Sequence, residues 1–287
     1  MNTVQLVQID VFADEPLGGV PVAVVLDAEL SERQCRRVGA ELGVAGVVTH
    51  QAASRVVPVR EHIGIEAAVA TATALFQRDR IPPGEHSIET PSGKQSFELA
   101  TDGAVSNVGP RHALEYPTGL IERTATALGL DPATLKDVGA DLPPGIVEAA
   151  GGTLSVAVNF FQHLSGASAG PLLGELLESI GAKRLCLFTF DTPDRGADVH
   201  ARVFTQNGTA VSASAAAAAA CGAHLADAAV FDPGRTSVVI ASGSAVDRPA
   251  RLTTTLDAQP RLTGRGLTGI DGTLSLPPDD DDEILEA

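Results

Sequence analysis

The chain has 287 residues and a mass of 29.4 kDa, more than the usual one-domain size of about 100–200 residues, which favours two lobes or one large domain. Hydrophobic residues make up 44% of it and aromatic residues 3%, so it can fill aliphatic cores and is not disordered throughout. With 36 acidic and 20 basic residues the formal charge is −16, and because phosphate backbones repel such a chain, we expect no nucleic-acid partner.

Targeting and cysteine patterns indicate a cytoplasmic protein. No segment approaches the roughly 18–20 apolar residues of a membrane span, and Met1–Asp10 lacks the basic and continuous apolar regions of a signal peptide. Cys35, Cys186 and Cys221 are odd in number and widely separated, which fits neither a disulfide framework nor a zinc knuckle. We therefore expect no membrane partner. The acidic residues 279–287 are interpreted as a solvated tail.

The first half of the chain is predicted to contain four strands and two helices. The strands are Val4–Phe12, Val22–Leu26, Val44–Thr49 and Arg55–Val59. Ser31 caps a helix that continues to about Leu42. A second helical pattern, from about Gly64 to Phe76, consists mostly of small residues.

The second half repeats this order. Its predicted strands are Ser155–Val158, Arg184–Phe190, Val199–Phe204, Val238–Ala241, Arg251–Leu256 and Thr273–Leu276. Its predicted helices are Leu172–Ile180 and a long one from about Ser212 to Ala228. Several strands around one alanine-rich helix in each half predict an α+β fold and not a regular βαβ alternation.

The two alanine-rich helices determine the predicted architecture. Residues 67–74 and 213–220 have short side chains on every face, whereas a surface helix would show a polar stripe. We therefore expect each helix to be enclosed by sheet. The alternative is that alanine occurs there only because it is the best helix former.

Three ordered motifs resemble a known family. Val7–Pro21 is similar to the opening V-D-V-F-T-D-x-P-F-G-G-N-P, Ala197–Phe204 to A-D-V-H-x-R-x-F, and Arg248–Leu252 to R-P-S-x-L. These motifs belong to the phenazine-biosynthesis PhzF-like family, and the resemblance extends to Pro278.

The resemblance implies the diaminopimelate epimerase-like fold. This fold has two pseudo-symmetric lobes, each a curled mixed β-sheet around a central buried helix, with the active site in the cleft between them. We place the N-terminal lobe at residues 1–117, completed by residues 266–278, and the C-terminal lobe at residues 118–265.

The family's proton-transfer side chains have no counterparts at the matching positions. The glutamate of L-S-E-T-A-F corresponds to Val44 and the histidine of C-G-H-A-T to Ile65. The aspartate of E-D-P-A-T-G-S corresponds to Val211, or to Ser212 if the gap shifts by one, and the asparagine of G-N-P to Val20. Valine and isoleucine cannot act as a general acid or base, so an active enzyme would use other groups.

Glu66 and His62 are the candidate catalytic residues. Glu66 falls in the first turn of the first small-residue helix, where it either complements the helix dipole, worth about 0.3–1 kcal/mol, or serves as a base. His62 is a candidate acid or base just before this helix. His62 and Glu66 have the spacing of a metal pair but no third ligand, so we expect no metal site. His200 is interpreted as structural.

The first turns of the two helices are the candidate substrate-binding sites. Their unpaired N–H groups and positive dipole ends are suited to a carboxylate. The alternative is that Ser212 and Ser214 simply cap their own helix. The predicted substrate-binding residues are Val20, Val44, Gly64, Ile65, Ala67, Ser212, Ala213 and Ser214.

The resemblance implies a cofactor-independent isomerase. It would shift a proton and a double bond on a small anionic, carboxylate-bearing metabolite, in antibiotic or other secondary metabolism, and the family implies a homodimer. The alternative is a catalytically inactive relative that binds a ligand or a partner. A two-thiol racemase is excluded, because Cys221 lies about ten residues beyond Val211, roughly 15 Å along a helix.

Overall fold

A computed structural model describes residues 2–51, 53–60, 63–91, 93–109, 112–148 and 151–276. The helices are α1 (Glu32–Leu42), α2 (Ile65–Phe76), α3 (Leu120–Leu128), α4 (Ala133–Lys136), α5 (Phe161–Gly166), α6 (Pro171–Ser179) and α7 (Ala215–Asp227), with a 3₁₀ turn at Ser244–Val246. None of the described helices is long and apolar enough to cross a membrane.

The strands follow the same chain order. They are β1 (Asn2–Val11), β2 (Val20–Leu26), β3 (Gly46–His50), β4 (Ser54–Pro58), β5 (Gly84–Thr90), β6 (Gly93–Leu99), β7 (Val105–Val108), β8 (Leu114–Glu115), β9 (Gly145–Val147), β10 (Thr153–Ala157), β11 (Arg184–Thr189), β12 (Val199–Thr205), β13 (Ala210–Val211), β14 (Ser237–Ser242), β15 (Ala250–Thr255), β16 (Arg261–Gly264) and β17 (Gly266–Leu276). The mixture of strands and helices confirms the predicted α+β class.

The chain divides into two compact units. Unit 1 comprises Met1–Val11, Glu15–Val105 and Arg265–Ala287, and unit 2 comprises Phe12–Asp14 and Ser106–Gly264. Residues 106–109 and 112–117, predicted for the N-terminal lobe, lie in unit 2, where β8 pairs with β9. The acidic tail at 279–287 lies outside the described residues, and its solvation stays a prediction.

Unit 1 contains a mixed sheet in the order β17-β1-β2-β3-β4. The pairs are antiparallel except β2 with β3, whose parallel pairing requires the crossover through α1. The predicted cap of α1 is confirmed as a reciprocal capping box: Ser31 Oγ accepts the Gln34 N–H at 3.2 Å, and Gln34 Oε1 accepts the Ser31 N–H at 3.1 Å.

Helix α2 is enclosed within unit 1, as predicted. Residues 66–75 are all buried, and the helix packs against β1, β2, β3 and β17 and against the β5–β6 hairpin. Because the side chains are mostly alanine and threonine, the strands approach the helix closely on all these sides.

Unit 2 contains a second mixed sheet, in which β16, β15, β14, β12, β11, β10, β9 and β8 follow in that order and β13 pairs with β12. The β10–β11 and β12–β14 pairs are parallel, and the other described pairs are antiparallel. One face carries an aliphatic core formed with α3 and α6, which includes Leu128, Leu173, Leu187 and Phe204.

Helix α7 packs on strands β9, β10, β11, β14, β15 and β16 of unit 2. Ten of its thirteen residues are buried, which confirms the predicted burial of the second alanine-rich segment. The helix begins at Ala215 and not at Ser212, because Val211 pairs with Val203 as part of β13 and Ser214 is the N-cap.

The contact of α7 with β15 depends on Gly222. A Cβ at this position would lie 2.6 Å from Thr254 Oγ1 and 3.0 Å from the Thr255 carbonyl oxygen. Gly222→Ala is therefore expected to lower the free energy of unfolding by about 1–3 kcal/mol, because the clash outweighs the gain of about 1 kcal/mol in helix propensity. Urea unfolding measures this change. The control is Gly166→Ala, where a Cβ meets nothing within 4 Å, and an equal effect of both variants would contradict the clash.

Candidate functional site

The start of α2 is fixed by packing within unit 1. Ile63 is 1% exposed, and a Cβ on Gly46 of β3 would overlap its Cδ1 atom. Glycine at position 46 therefore leaves room for Ile63, which anchors the turn into the helix. Gly64 is the N-cap and provides no side chain for capping.

Glu66 supplies the carboxylate at this helix end. Its side chain is buried, with 7% exposure, and its Oε2 accepts a hydrogen bond from the Gly64 N–H at 3.2 Å. The carboxylate thus faces the positive end of the α2 dipole, which is the structural role predicted for it. It is also withdrawn from solvent, as a base acting in a dry site must be.

The other predicted residues of unit 1 are placed as follows. Ala67 is fully buried in α2, and Ile65 is half-buried in its first turn. Val44 is fully buried in the aliphatic core of the unit, and Val20 is 2% exposed at the start of β2. His62 lies outside the described residues, so its predicted role stays a prediction.

The start of α7 in unit 2 has a side-chain cap. Ser214 Oγ accepts the Ala217 N–H at 3.3 Å, so the capping role considered for Ser214 is present. Ser212 is 7% exposed, and its carbonyl accepts the Ser242 hydroxyl at 2.8 Å. Ala213 and Val211 are also buried.

The structure thus places the predicted residues in two groups, one in each unit. In unit 1 Gly64, Ile65, Glu66 and Ala67 adjoin at the start of α2, and in unit 2 Ser212, Ala213 and Ser214 adjoin before α7. Within the described part of the chain, no group of three or more His, Cys, Asp or Glu side chains is arranged to hold a metal ion.

The cysteine thiols are buried, and two of them have raised pKa values. Burial raises the pKa of Cys35 to about 11, and a hydrogen bond with Cys186, together with burial, raises the pKa of Cys221 well above its usual value. All three cysteines are free and buried. Because the thiolate is the reactive form, the raised pKa values keep Cys35 and Cys221 in the unreactive thiol form at neutral pH.

Unit 2 contains a pair of polar residues, His200 and Arg202, that the sequence patterns did not identify as part of a site. His200 was interpreted as structural and Arg202 was not singled out, yet both line one cavity beside α5. Residues two apart on a strand share a face, so the motif Ala197–Phe204 contained the signal for this placement.

The comparisons with known proteins agree with the fold. Residues 9–272 match the PhzC-PhzF family, described as phenazine biosynthesis-like protein. No curated protein sequence matches the chain.

Solved structures of several bacterial proteins are similar over nearly the full chain. A PhzF-family phenazine biosynthesis protein from Bacillus anthracis is 20% identical, with a TM-score of 0.82, and covers 96% of this chain and 100% of its own. A protein described as a predicted epimerase from Pseudomonas aeruginosa is 21% identical, with a TM-score of 0.75 and coverage of 96% and 100%. A hydroxyproline epimerase from Agrobacterium vitis, with bound trans-4-hydroxy-L-proline, is 14% identical, with a TM-score of 0.56 and coverage of 96% and 94%.

These likenesses support the two-lobed fold class inferred from the sequence motifs. The family match, which spans most of the 287 residues, supports the resemblance on which that inference rested. The chain belongs to the PhzC-PhzF family of phenazine biosynthesis-like proteins.

Proposed function

We propose that this protein is a cofactor-independent isomerase that moves a proton and a double bond on a small carboxylate-bearing metabolite of secondary metabolism, such as an antibiotic pathway. Family membership and the fold shared with epimerases support an isomerase-type function. The observation that carries the proposal is Glu66, a carboxylate that is 7% exposed and oriented by the N–H of the N-cap residue of α2.

In the proposed reaction Glu66 removes a proton from a carbon next to an unsaturated group. The electron pair of that C–H bond forms the new double bond, and the old double bond accepts a proton at its far end. Glu66 or His62 returns this proton, so the substrate gains and loses no atoms overall. The hydrogen bond from Gly64 keeps the carboxylate in one orientation between the two transfers.

Backbone donors are proposed to hold the substrate. The first-turn N–H groups of α2, at Ile65 and Ala67, would bind its carboxylate. In unit 1, Gly64, Val20 and Val44 complete the proposed binding set. In unit 2, Ser212, Ala213 and Ser214 before α7 form a separate proposed set. We propose a cytoplasmic enzyme, which acts as a homodimer and needs no metal or cofactor.

Deuterium exchange tests Glu66. The protein is incubated in deuterated water with unsaturated acids derived from amino acids, and incorporation is followed by mass spectrometry. Glu66→Gln is expected to lower the exchange rate at least about 100-fold, the usual contribution of a general base. The matched control is Glu122→Gln, which removes another first-turn carboxylate, an exposed one that pairs with Lys136 at 2.9 Å. Exchange that persists in Glu66→Gln would remove Glu66 from the mechanism.

The second proposal is a catalytically inactive family member that binds a ligand or partner. The motif comparison favours it, because it puts Val44 at the family's glutamate, Ile65 at its histidine, and Val211 or Ser212 at its aspartate. Saturable binding of the same acids without any deuterium incorporation would support this function over the isomerase.

A further inference from the structure

Unit 2 contains a cavity beside strand β12. Its volume is about 400 Å³, within the range of small-molecule sites. The walls come from α5, β12, β13 and the 3₁₀ turn after β14. Among the lining residues are Phe161, Leu164, His200, Arg202, Val211 and Ala245.

Arg202 brings a positive charge to this cavity. Its Nη1 donates to the carbonyl oxygens of Ser165 and Ala167, both at 2.7 Å, and of Leu164 at 3.2 Å, where α5 ends. Its Nε is buried, and among the described residues it has no hydrogen-bond partner and no carboxylate acts on the guanidinium. Burial lowers the pKa of Arg202, yet a guanidinium stays charged at neutral pH. Because a partly buried cation with an unused N–H donor is costly when unpaired, an anion that accepts this hydrogen bond would stabilise it.

His200 contributes a second unused polar atom. Its side chain is 5% exposed, its Nε2 lies 2.9 Å from Ser244 Oγ, and its Nδ1 is buried with no partner among the described residues. Burial lowers the pKa of His200, so the ring is neutral at pH 7. Ser244 is exposed and its hydroxyl can rotate to donate to Nε2, which leaves the ring proton on Nδ1 as a donor.

One nearby carboxylate is already paired. Asp194 interacts electrostatically with His200, but its Oδ2 accepts a hydrogen bond from Arg251 at 2.6 Å and its Oδ1 one from the Gly196 N–H at 2.8 Å. Both Asp194 oxygens are therefore engaged elsewhere, and Asp194 does not act as the counter-ion of Arg202.

We propose that this cavity binds a small carboxylate with an apolar body, with Arg202 and His200 Nδ1 as the donors to the carboxylate. The planar fork of arginine matches the two oxygens of a carboxylate. Phe161, Leu164 and Val211 would cover the apolar part of the ligand. The site uses none of the residues proposed to transfer protons, so it does not depend on the isomerase function.

Titration calorimetry tests the ligand class. Benzoate and butyrate are compared with benzamide and butyramide, which have nearly the same shape without the charge. Saturable binding of one carboxylate per chain is expected, at least 10-fold tighter than that of the matching amide. Equal affinity for the pair, or no saturable binding of either carboxylate, would overturn the proposal.

Variants and histidine NMR locate the ligand. Ala245→Phe fills the cavity from an exposed position and is expected to weaken carboxylate binding at least 10-fold. Ala40→Phe, at an exposed position of α1 in unit 1, is the control and should bind as the wild type does.

Arg202→Lys keeps the charge but loses the fork, and it too is expected to bind at least 10-fold more weakly. If circular dichroism shows that this variant does not fold, Ala245→Phe decides the question. Bound carboxylate should shift the ¹⁵N resonance of His200 Nδ1, assigned with His200→Gln. Unchanged binding in Ala245→Phe, or an unshifted resonance at saturation, would place the ligand elsewhere and refute the site.

Discussion

Phe12→Ala is expected to lower the free energy of unfolding by about 3–5 kcal/mol, the usual cost of truncating a buried phenylalanine. Phe12 is 1% exposed and belongs to the short segment Phe12–Asp14 of unit 2. A Cβ on Gly264 would overlap its ring, so a glycine at position 264 makes the close packing possible. The Phe12 carbonyl also accepts a hydrogen bond from the Arg251 N–H at 2.7 Å.

The backbone of Phe12 adds a second, more specific expectation. Its φ of 64° lies in the left-handed region, which costs a residue with a side chain roughly 1–2 kcal/mol and costs glycine almost nothing. Phe12→Gly should therefore be about 1 kcal/mol more stable than Phe12→Ala. At an ordinary strand position the order is reversed, because glycine is the weaker strand former.

Phe188→Ala and Phe188→Gly are the matched controls for Phe12→Ala and Phe12→Gly. Phe188 is fully buried in β11 of the same unit, and its φ is not positive. Urea unfolding of Ala and Gly variants at both positions should give alanine as the better residue at 188 and glycine as the better one at 12. If alanine is better at position 12 as well, the backbone there is not strained.

The burial of helices α2 and α7 was predictable from the sequence, because the small, uncharged residues that indicate it lie within each helix and not on the strands around it. A run without charge, such as Ala215–Ala220, has no polar stripe to face water, so it favours burial whichever strands surround it. The N-cap at Ser31 was also predictable, because its capping box needs only Gln34, three residues later in the sequence.

The strands that were missed or shortened have weak local patterns. Strand β17 was predicted only at Thr273–Leu276, because Gly269, Asp271 and Gly272 disfavour a strand. Its extension to Gly266 comes from the long antiparallel pairing with β1, a non-local partner. Strands β5 and β6 were missed for the same reason: most of their residues are polar or exposed, and their mutual pairing defines them.

The candidate site was only partly predictable. The position of Glu66 in the first turn of α2 followed from the helix start, but its burial is a property of the tertiary fold, which the first turn alone does not determine. The cavity at Arg202 required the tertiary structure. The carbonyls that hold its Nη1 come from residues 35–38 positions away in sequence, which a strand motif does not reveal.

Acidification from pH 6.5 to pH 4 is expected to remove about 3 kcal/mol of stability through His224 alone. This residue of α7 is fully buried. Its Nε2 donates to the Pro143 carbonyl at 3.0 Å, and its Nδ1 lies 3.0 Å from Ser155 Oγ. Burial lowers its pKa from 6.5 to about 4, against the opposing effects of Pro143 and the Asp227 charge.

The direction of the effect follows from proton uptake. Between pH 6.5 and pH 4 the unfolded chain protonates His224 and the folded chain does not, so the free energy of unfolding falls as the pH is lowered through this window. The shift of about 2.5 units at 1.36 kcal/mol each gives the expected loss, which is complete below pH 4.

Urea unfolding of the wild type and His224→Gln at several pH values isolates this contribution, because the acidic side chains titrate in both proteins. Glutamine can still donate to Pro143, but it does not titrate. The difference in stability between the two proteins should stay constant above pH 7 and shift in favour of the variant by about 3 kcal/mol as the pH falls to 4. Parallel stability curves across the whole range would mean that His224 is protonated in the folded protein as readily as in the unfolded chain, in spite of its complete burial between Ser155 and Pro143.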